Sequence, residues 1–199
     1  MKLYLSSYRF PKPEELLSLF LKPPAGCRIA VIPNAQDYRL PEERGVRLDE
    51  LADDLAKIGL QSDVVDLREY DDSEILYQTL KNYDGVWVAG GNSFVLRSEM
   101  RRSGFEAIVE KLLKFGLVYC GESAGAIVAG LTLQGCEPAD EPELADQIIW
   151  EGLGLTERII APHADNLEFV EYINHMKKLY ANNDRVIYLN DDQTLIINS

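Results

Sequence analysis

The sequence predicts an α/β fold, a three-layer sandwich in which a mainly parallel central sheet lies between helices. Three observations carry this. Short β-branched runs alternate with amphipathic helical segments along the chain. Several of these runs are almost continuously apolar, as strands covered on both faces must be. The 199 residues are enough for one such domain with a sizeable core and short for two, so 1–199 reads as a single domain.

In order along the chain, strands are predicted at 2–6, 28–33, 63–67, 85–89, 117–120, 158–161, 185–189 and 194–197. Helices fall between them. Leu48, Leu51, Leu55 and Ile58 recur at helical spacing, and Gly59 follows as a stop. Residues 94–100 read as a helical segment after the turn Gly90-Gly91-Asn92-Ser93. Phe105, Ile108, Val109 and Leu112 form a stripe that ends near Gly116, and residues 126–129 begin another helix. Phe169, Ile173, Met176 and Tyr180 form the last stripe. Sheets wound in this way place their sites at the carboxyl ends of the strands. The residues that follow the strands are therefore the ones to search for chemistry.

Composition narrows the partners. With 20 basic and 33 acidic residues, the net charge is −13. An acidic surface of that size argues against nucleic acid and anionic membrane and keeps the chain soluble. No apolar stretch approaches the roughly 20 residues of a membrane span. Residues 1–10 lack the apolar core and cleavage site of a signal peptide. Cys27, Cys120 and Cys136 are odd in number and lack metal-site spacing, which suits a reducing, cytoplasmic setting. Only two histidines are present, so no histidine-rich metal site is expected; Gly90-Gly91-Asn92-Ser93 is not G-x-G-x-x-G and no P-loop lysine follows, so no nucleotide or other organic cofactor is expected either. The sequence does not decide whether an apolar face pairs two copies into a homodimer.

Gly121-Glu122-Ser123-Ala124-Gly125 is a G-x-S-x-G motif between the apolar run 117–120 and the helix that starts at 126. Strand, sharp turn, helix is the context in which such a serine becomes a nucleophile. The glycines leave room for the turn. Ser123 is lifted to the top of the sheet, and the Ala124 N–H, at a helix start, can stabilise a developing oxyanion. Cys120 lies within the strand and reads as packed rather than reactive.

A serine hydroxyl needs a base. His163 stands just past the strand 158–161, on the edge where the elbow should be. His175 falls away from its helix's apolar stripe and reads as solvent-facing. A third group should orient the imidazole. Asp165, in Asp165-Asn166-Leu167-Glu168, reads better as a helix cap. Asp191 and Asp192 lie at a strand end, where they read equally well as the acid or as a polar turn. The loop Gly90-Gly91-Asn92-Ser93, at another strand end, offers amides to complete an oxyanion hole, with Asn92 or Ser93 as cap.

Taken together, Ala89-Gly90-Gly91-Asn92, Gly121-Glu122-Ser123-Ala124-Gly125-Ala126 and Pro162-His163 resemble the peptidase E (aspartyl dipeptidase) family of serine peptidases, with cyanophycinases more distant. The resemblance runs over the length of the chain. It implies a class I glutamine amidotransferase-like (flavodoxin-like) fold and the order nucleophile, histidine, acid. It implies Ser123 as nucleophile, His163 as base, Gly91 and Ala124 as oxyanion amides, and Asp191 as acid. It also implies a small peptide substrate, of Asp-X type for aspartyl dipeptidases. The stretch 131–140 after the elbow helix carries none of the arginine expected there, leaving Arg97, Arg101 or another arginine to meet a substrate carboxylate. Glu122 is a candidate contact for a substrate amine or, equally, a solvated elbow residue. Two other readings are an α/β-hydrolase-type esterase, with its acid at Asp140 or Asp146, and a non-catalytic ligand-binding protein on the same fold.

Overall fold

The computed structural model describes residues 1–198. The chain runs β1 (Lys2–Ser6), α1 (Pro13–Leu17), β2 (Arg28–Ile32), α2 (Pro41–Lys57), β3 (Gln61–Val64), α3 (Ser73–Leu80) and β4 (Gly85–Val88). It continues through α4 (Ser93–Arg102), α5 (Phe105–Phe115), β5 (Val118–Glu122), α6 (Ala124–Ala129), β6 (Ile159–Ala161), α7 (Val170–Leu179), β7 (Val186–Tyr188) and β8 (Thr194–Asn198). Six strands form one sheet in the order β3-β2-β4-β5-β1-β8. All neighbours are parallel except β8, which runs antiparallel to β1 with Ser6 opposite Thr194. The fold is thus the α/β sandwich with a mostly parallel sheet that the sequence predicts. The strands β6 and β7 make a separate parallel pair.

Strand alternation divides the core in two. Leu3, Leu5, Ala30, Ile32, Val86, Val88 and Tyr119 pack with α3 to α7 on one face. Tyr4, Ile29, Val31, Trp87, Val118 and Cys120 pack with Leu16, Leu51 and Leu55 of α1 and α2 on the other. Trp87, with no exposed surface, is the largest side chain of that second layer. Burying an aromatic of this size stabilises the fold by about 2–3 kcal/mol.

The third strand lies at Gln61–Val64 rather than at 63–67. The Asp66 side chain accepts from the Arg68 N–H and turns the chain into a short 3-10 segment, Leu67–Glu69, which ends the strand early. Among the described residues no helix is long and apolar enough to cross a membrane.

Candidate active site

The strand β5 runs through Gly121 and Glu122, and α6 begins at Ala124. Ser123 takes up the whole change of direction, with φ 49° and ψ −112°. A backbone so strained in a non-glycine residue persists only where its surroundings enforce it. They do so by crowding. A Cβ on Gly121 would strike the carbonyl of Gly125, and one on Gly125 would strike the carbonyl of Val88 in β4. The elbow is therefore pressed against the neighbouring strand, and Ser123 projects from the carboxyl edge of the sheet.

His163 follows β6 with φ 63°, also left-handed, and is 7% exposed. Its Nε2 stands 2.9 Å from Ser123 Oγ. Its Nδ1 stands 2.6 Å from Asp191 Oδ1, and the Phe169 ring stacks on the imidazole with centroids 4.2 Å apart. The Asp191 carboxylate also accepts from Ser7 Oγ at 2.9 Å and Asn166 Nδ2 at 3.0 Å. Burial alone would raise its pKa, yet the hydrogen bonds from His163, Asn166 and Ser7 hold it below the ordinary carboxylate value. The structure thus brings Ser123, His163 and Asp191 into one hydrogen-bonded relay. Asp192 and His175 are exposed.

Facing the serine is the loop after β4. Gly91 has φ 148°, and a Cβ there would collide with the carbonyl of Ala35, so only glycine fits. The loop is gripped on every side. Asn92 N–H donates to Ala35 O, Gln36 Nε2 to Gly90 O, and Gly90 N–H to Glu122 Oε1. Asn92 Nδ2 donates to Glu141 O, and Ser93 N–H and Oγ–H both donate to Asp140 Oδ2. Among the described residues the Gly91 N–H has no hydrogen-bond partner. The Ala124 N–H opens α6 and has no carbonyl of its own helix to meet.

Several expectations change here. Glu122 is neither solvated nor a free amine contact. It is 7% exposed, paired with Arg9 at 3.6 Å, and holds the Gly90 amide. Burial pushes its carboxyl up, opposed by Arg9 and the Gly90 N–H. Asp165 is not the cap of the turn Leu167–Phe169. Asn166 is, while Asp165 Oδ1 accepts from the Asp191 N–H. Asp140 is bound to Ser93, and Asp146 is exposed, so His163 Nδ1 is served by Asp191. Arg97 and Arg101 both pair with Glu106, and Arg97 also reaches the Glu151 carbonyl.

A cavity of about 560 Å³ opens over Ser123, His163 and Gly91. Its wall includes Arg9, Arg39 and Arg47, which sequence reading did not single out, and Asp140. Burial pushes the Asp140 carboxyl up to about 6 against the hydrogen bonds from Ser93. Arg9, Arg39 and Arg47 lie before and within α2, far along the chain from every motif, and only the fold gathers them.

A model of the family described as Peptidase family S51 matches residues 5–199. An uncharacterised peptidase of Listeria innocua serovar 6a is 33% identical over 92 residues, 46% of this chain and 44% of that protein. Peptidase E of Streptomyces coelicolor is 32% identical over 143 residues, 70% of this chain and 52% of that protein. The matched part thus spans about half the length of these relatives. A candidate peptidase E from Listeria monocytogenes EGD-e, solved by crystallography, superposes with a TM-score of 0.81 at 22% identity. That match covers 98% of this chain and 93% of the other. A peptidase from an acI-B1 Actinobacterium superposes at 0.70, also at 22% identity, over 98% and 82% of the two chains. The two likenesses show a shared fold.

Proposed function

The chain belongs to peptidase family S51, and from that membership we propose that it is a serine-type peptidase, cleaving a short peptide or amide through an acyl-enzyme on Ser123. The observation that carries the reading is the 2.9 Å approach of His163 Nε2 to a serine hydroxyl held on a strained elbow. Ser123 Oγ attacks the scissile carbonyl carbon as His163 Nε2 takes its proton. Asp191 holds the Nδ1–H and stabilises the imidazolium. The negative charge that forms on the carbonyl oxygen is met by the N–H groups of Gly91 and Ala124. When the C–N bond breaks, His163 returns the proton to the leaving amine. Water then attacks the ester by the same route and frees Ser123.

For the substrate, Arg39 and Arg47 on the cavity wall favour a peptide that carries a carboxylate, in keeping with an Asp-X dipeptide, while Arg9 on the same wall is engaged by Glu50, Asp54 and Glu122. The setting proposed is cytoplasmic. The esterase reading, with its acid between serine and histidine, is disfavoured by the pairing of His163 with Asp191.

A serine-directed fluorophosphonate tests the mechanism. A covalent adduct on Ser123, lost in His163→Ala, is expected. Absence of adduct on folded wild-type protein points instead to a non-catalytic binding protein. Release of amines from a dipeptide library, wild type against Ser123→Ala, reads the substrate class. If dipeptides without an acidic residue are cleaved best, the carboxylate preference falls while the peptidase stands.

A further inference from the structure

Ser7 lies on the bend after β1 and has no exposed surface. Its hydroxyl sits between the backbone of His163, whose ring faces Ser123, and the carboxylate of Asp191, which faces that ring. The His163 N–H donates to Ser7 Oγ at 2.7 Å, and Ser7 Oγ–H donates to Asp191 Oδ1 at 2.9 Å. The Ser7 N–H in turn reaches the Gln193 carbonyl at 3.4 Å, next to β8. The geometry decides where the single hydroxyl proton goes. One lone pair of the oxygen is taken by the His163 amide, and the strong acceptor within reach is the carboxylate. His163 Nδ1 is only 3.4 Å from Ser7 Oγ, but its shorter bond, at 2.6 Å, is to the same Asp191 oxygen.

Two consequences follow. The backbone of His163, left-handed and buried, has its amide pinned by a side chain from the other end of the chain. The carboxylate oxygen that orients the imidazole is held by a second donor, Ser7 Oγ–H, as well as by Nδ1. We infer that Ser7 is a positioning residue of the hydrolytic site, which locks the backbone of His163 and the carboxylate of Asp191 into one unit. Ser7 does not touch the reacting atoms. It acts by keeping His163 Nε2 within proton-transfer distance of Ser123, where a displacement of about 1 Å costs roughly a hundredfold in rate. This inference rests on the proposed serine mechanism.

Ser7→Ala removes both hydrogen bonds, and Ser7→Cys keeps nearly the same volume with a poor hydrogen-bonding group. In both, kcat on the best library dipeptide is expected to fall roughly tenfold to a hundredfold while KM stays unchanged. Ser7→Thr, which restores a hydroxyl, is expected to recover much of the loss. The far-downfield proton resonance of the short His163–Asp191 hydrogen bond is expected to shift in Ser7→Ala, a change that loss of packing elsewhere would not produce. Circular dichroism and thermal melting identify the variants that fold. Wild-type kcat in either folded variant, or an unchanged resonance in Ser7→Ala, overturns the inference. Ser123→Ala separates the two failures. If it remains active, the serine mechanism itself is wrong; if it is dead while Ser7→Ala is fully active, only the role of Ser7 is lost.

Discussion

Asp140, on the cavity wall with the Ser93 N–H and Oγ–H both donating to one of its oxygens, sits in surroundings that disfavour its charge. With its pKa pushed up to about 6, the folded chain binds a proton more readily than the unfolded one, whose carboxylate titrates near about 4. Stability from this residue therefore falls as pH rises from about 4 to about 6. Asp140→Asn keeps a carbonyl acceptor for Ser93 and abolishes that titration. Relative to wild type, the variant is expected to gain about 2 kcal/mol between pH 4.5 and pH 7. Urea denaturation at the two pH values measures it, and an equal difference at both would contradict the assignment. Asp191→Asn should lower kcat by about three to four orders of magnitude with KM little changed. Asp192→Asn, on an exposed side chain, should leave kcat unaltered in the same steady-state assay. Ser123 and His163 were legible because their signals are local, a G-x-S-x-G turn and a histidine just past a strand. Asp191 was less so, since its own segment also reads as a turn and the family resemblance was needed to choose it. Ser7 could not be read at all. It meets Asp191 across 184 residues of chain, and no spacing within either segment encodes that meeting.

The loop after β4 acts as a unit, and so do the elements that hold it. Gly91→Ala has no room beside the Ala35 carbonyl and no relaxed backbone conformation. Loss of one oxyanion donor typically costs a hundredfold or more, so kcat is expected to fall by at least about two orders of magnitude, with a lowered melting temperature. Behind the loop, the turn Asn34–Gln36 rests on a charged cluster. Asn34 Nδ2 donates to Asp37 and Asp66, each at 2.8 Å, while Asn34 Oδ1 accepts from the Leu67 N–H at 3.0 Å. Arg44 and Arg68 each reach Asp66 Oδ2 at 2.7 Å. Burial would raise the Asp66 pKa, but hydrogen bonds from Arg68, Arg44 and Asn34 hold it well below the ordinary value. The stabilisation is thus present above about pH 4 and is lost as pH falls through the lower folded value. Asp66→Asn is expected to destabilise at pH 7 and to approach wild type in acid, by thermal melting across pH. Elements with a strong periodic signal were legible to within a residue or so, as for β2 and β4. The slip at β3 came from the Asx turn at Asp66, which competes with strand pairing. The helix α3, with Asp72 as cap and Leu76, Tyr77 and Leu80 buried, is too short to stand out by periodicity.

At the scale of the whole molecule, parallel pairing makes the fold strongly non-local. The strand β1 pairs with β5 and with β8, so the first strand finds both partners only after most of the chain is in place. Refolding from urea, followed by tryptophan fluorescence, is expected in milliseconds to seconds rather than microseconds. A dominant microsecond phase would contradict that. Alternation of strands and helices disclosed the layers, but not the strand order, nor the departure of β6 and β7 into a pair of their own. Those depend on which crossover packs on which face, which the spacing of apolar residues does not record. The antiparallel docking of β8 has a consequence for synthesis. A nascent chain that has released the elbow and the histidine but not yet residues 186–198 from the ribosomal tunnel has no carboxylate behind its imidazole. On the proposed mechanism the growing polypeptide is therefore a latent hydrolase, whose relay is complete only when β8 has paired with β1 and Asp191 has reached His163.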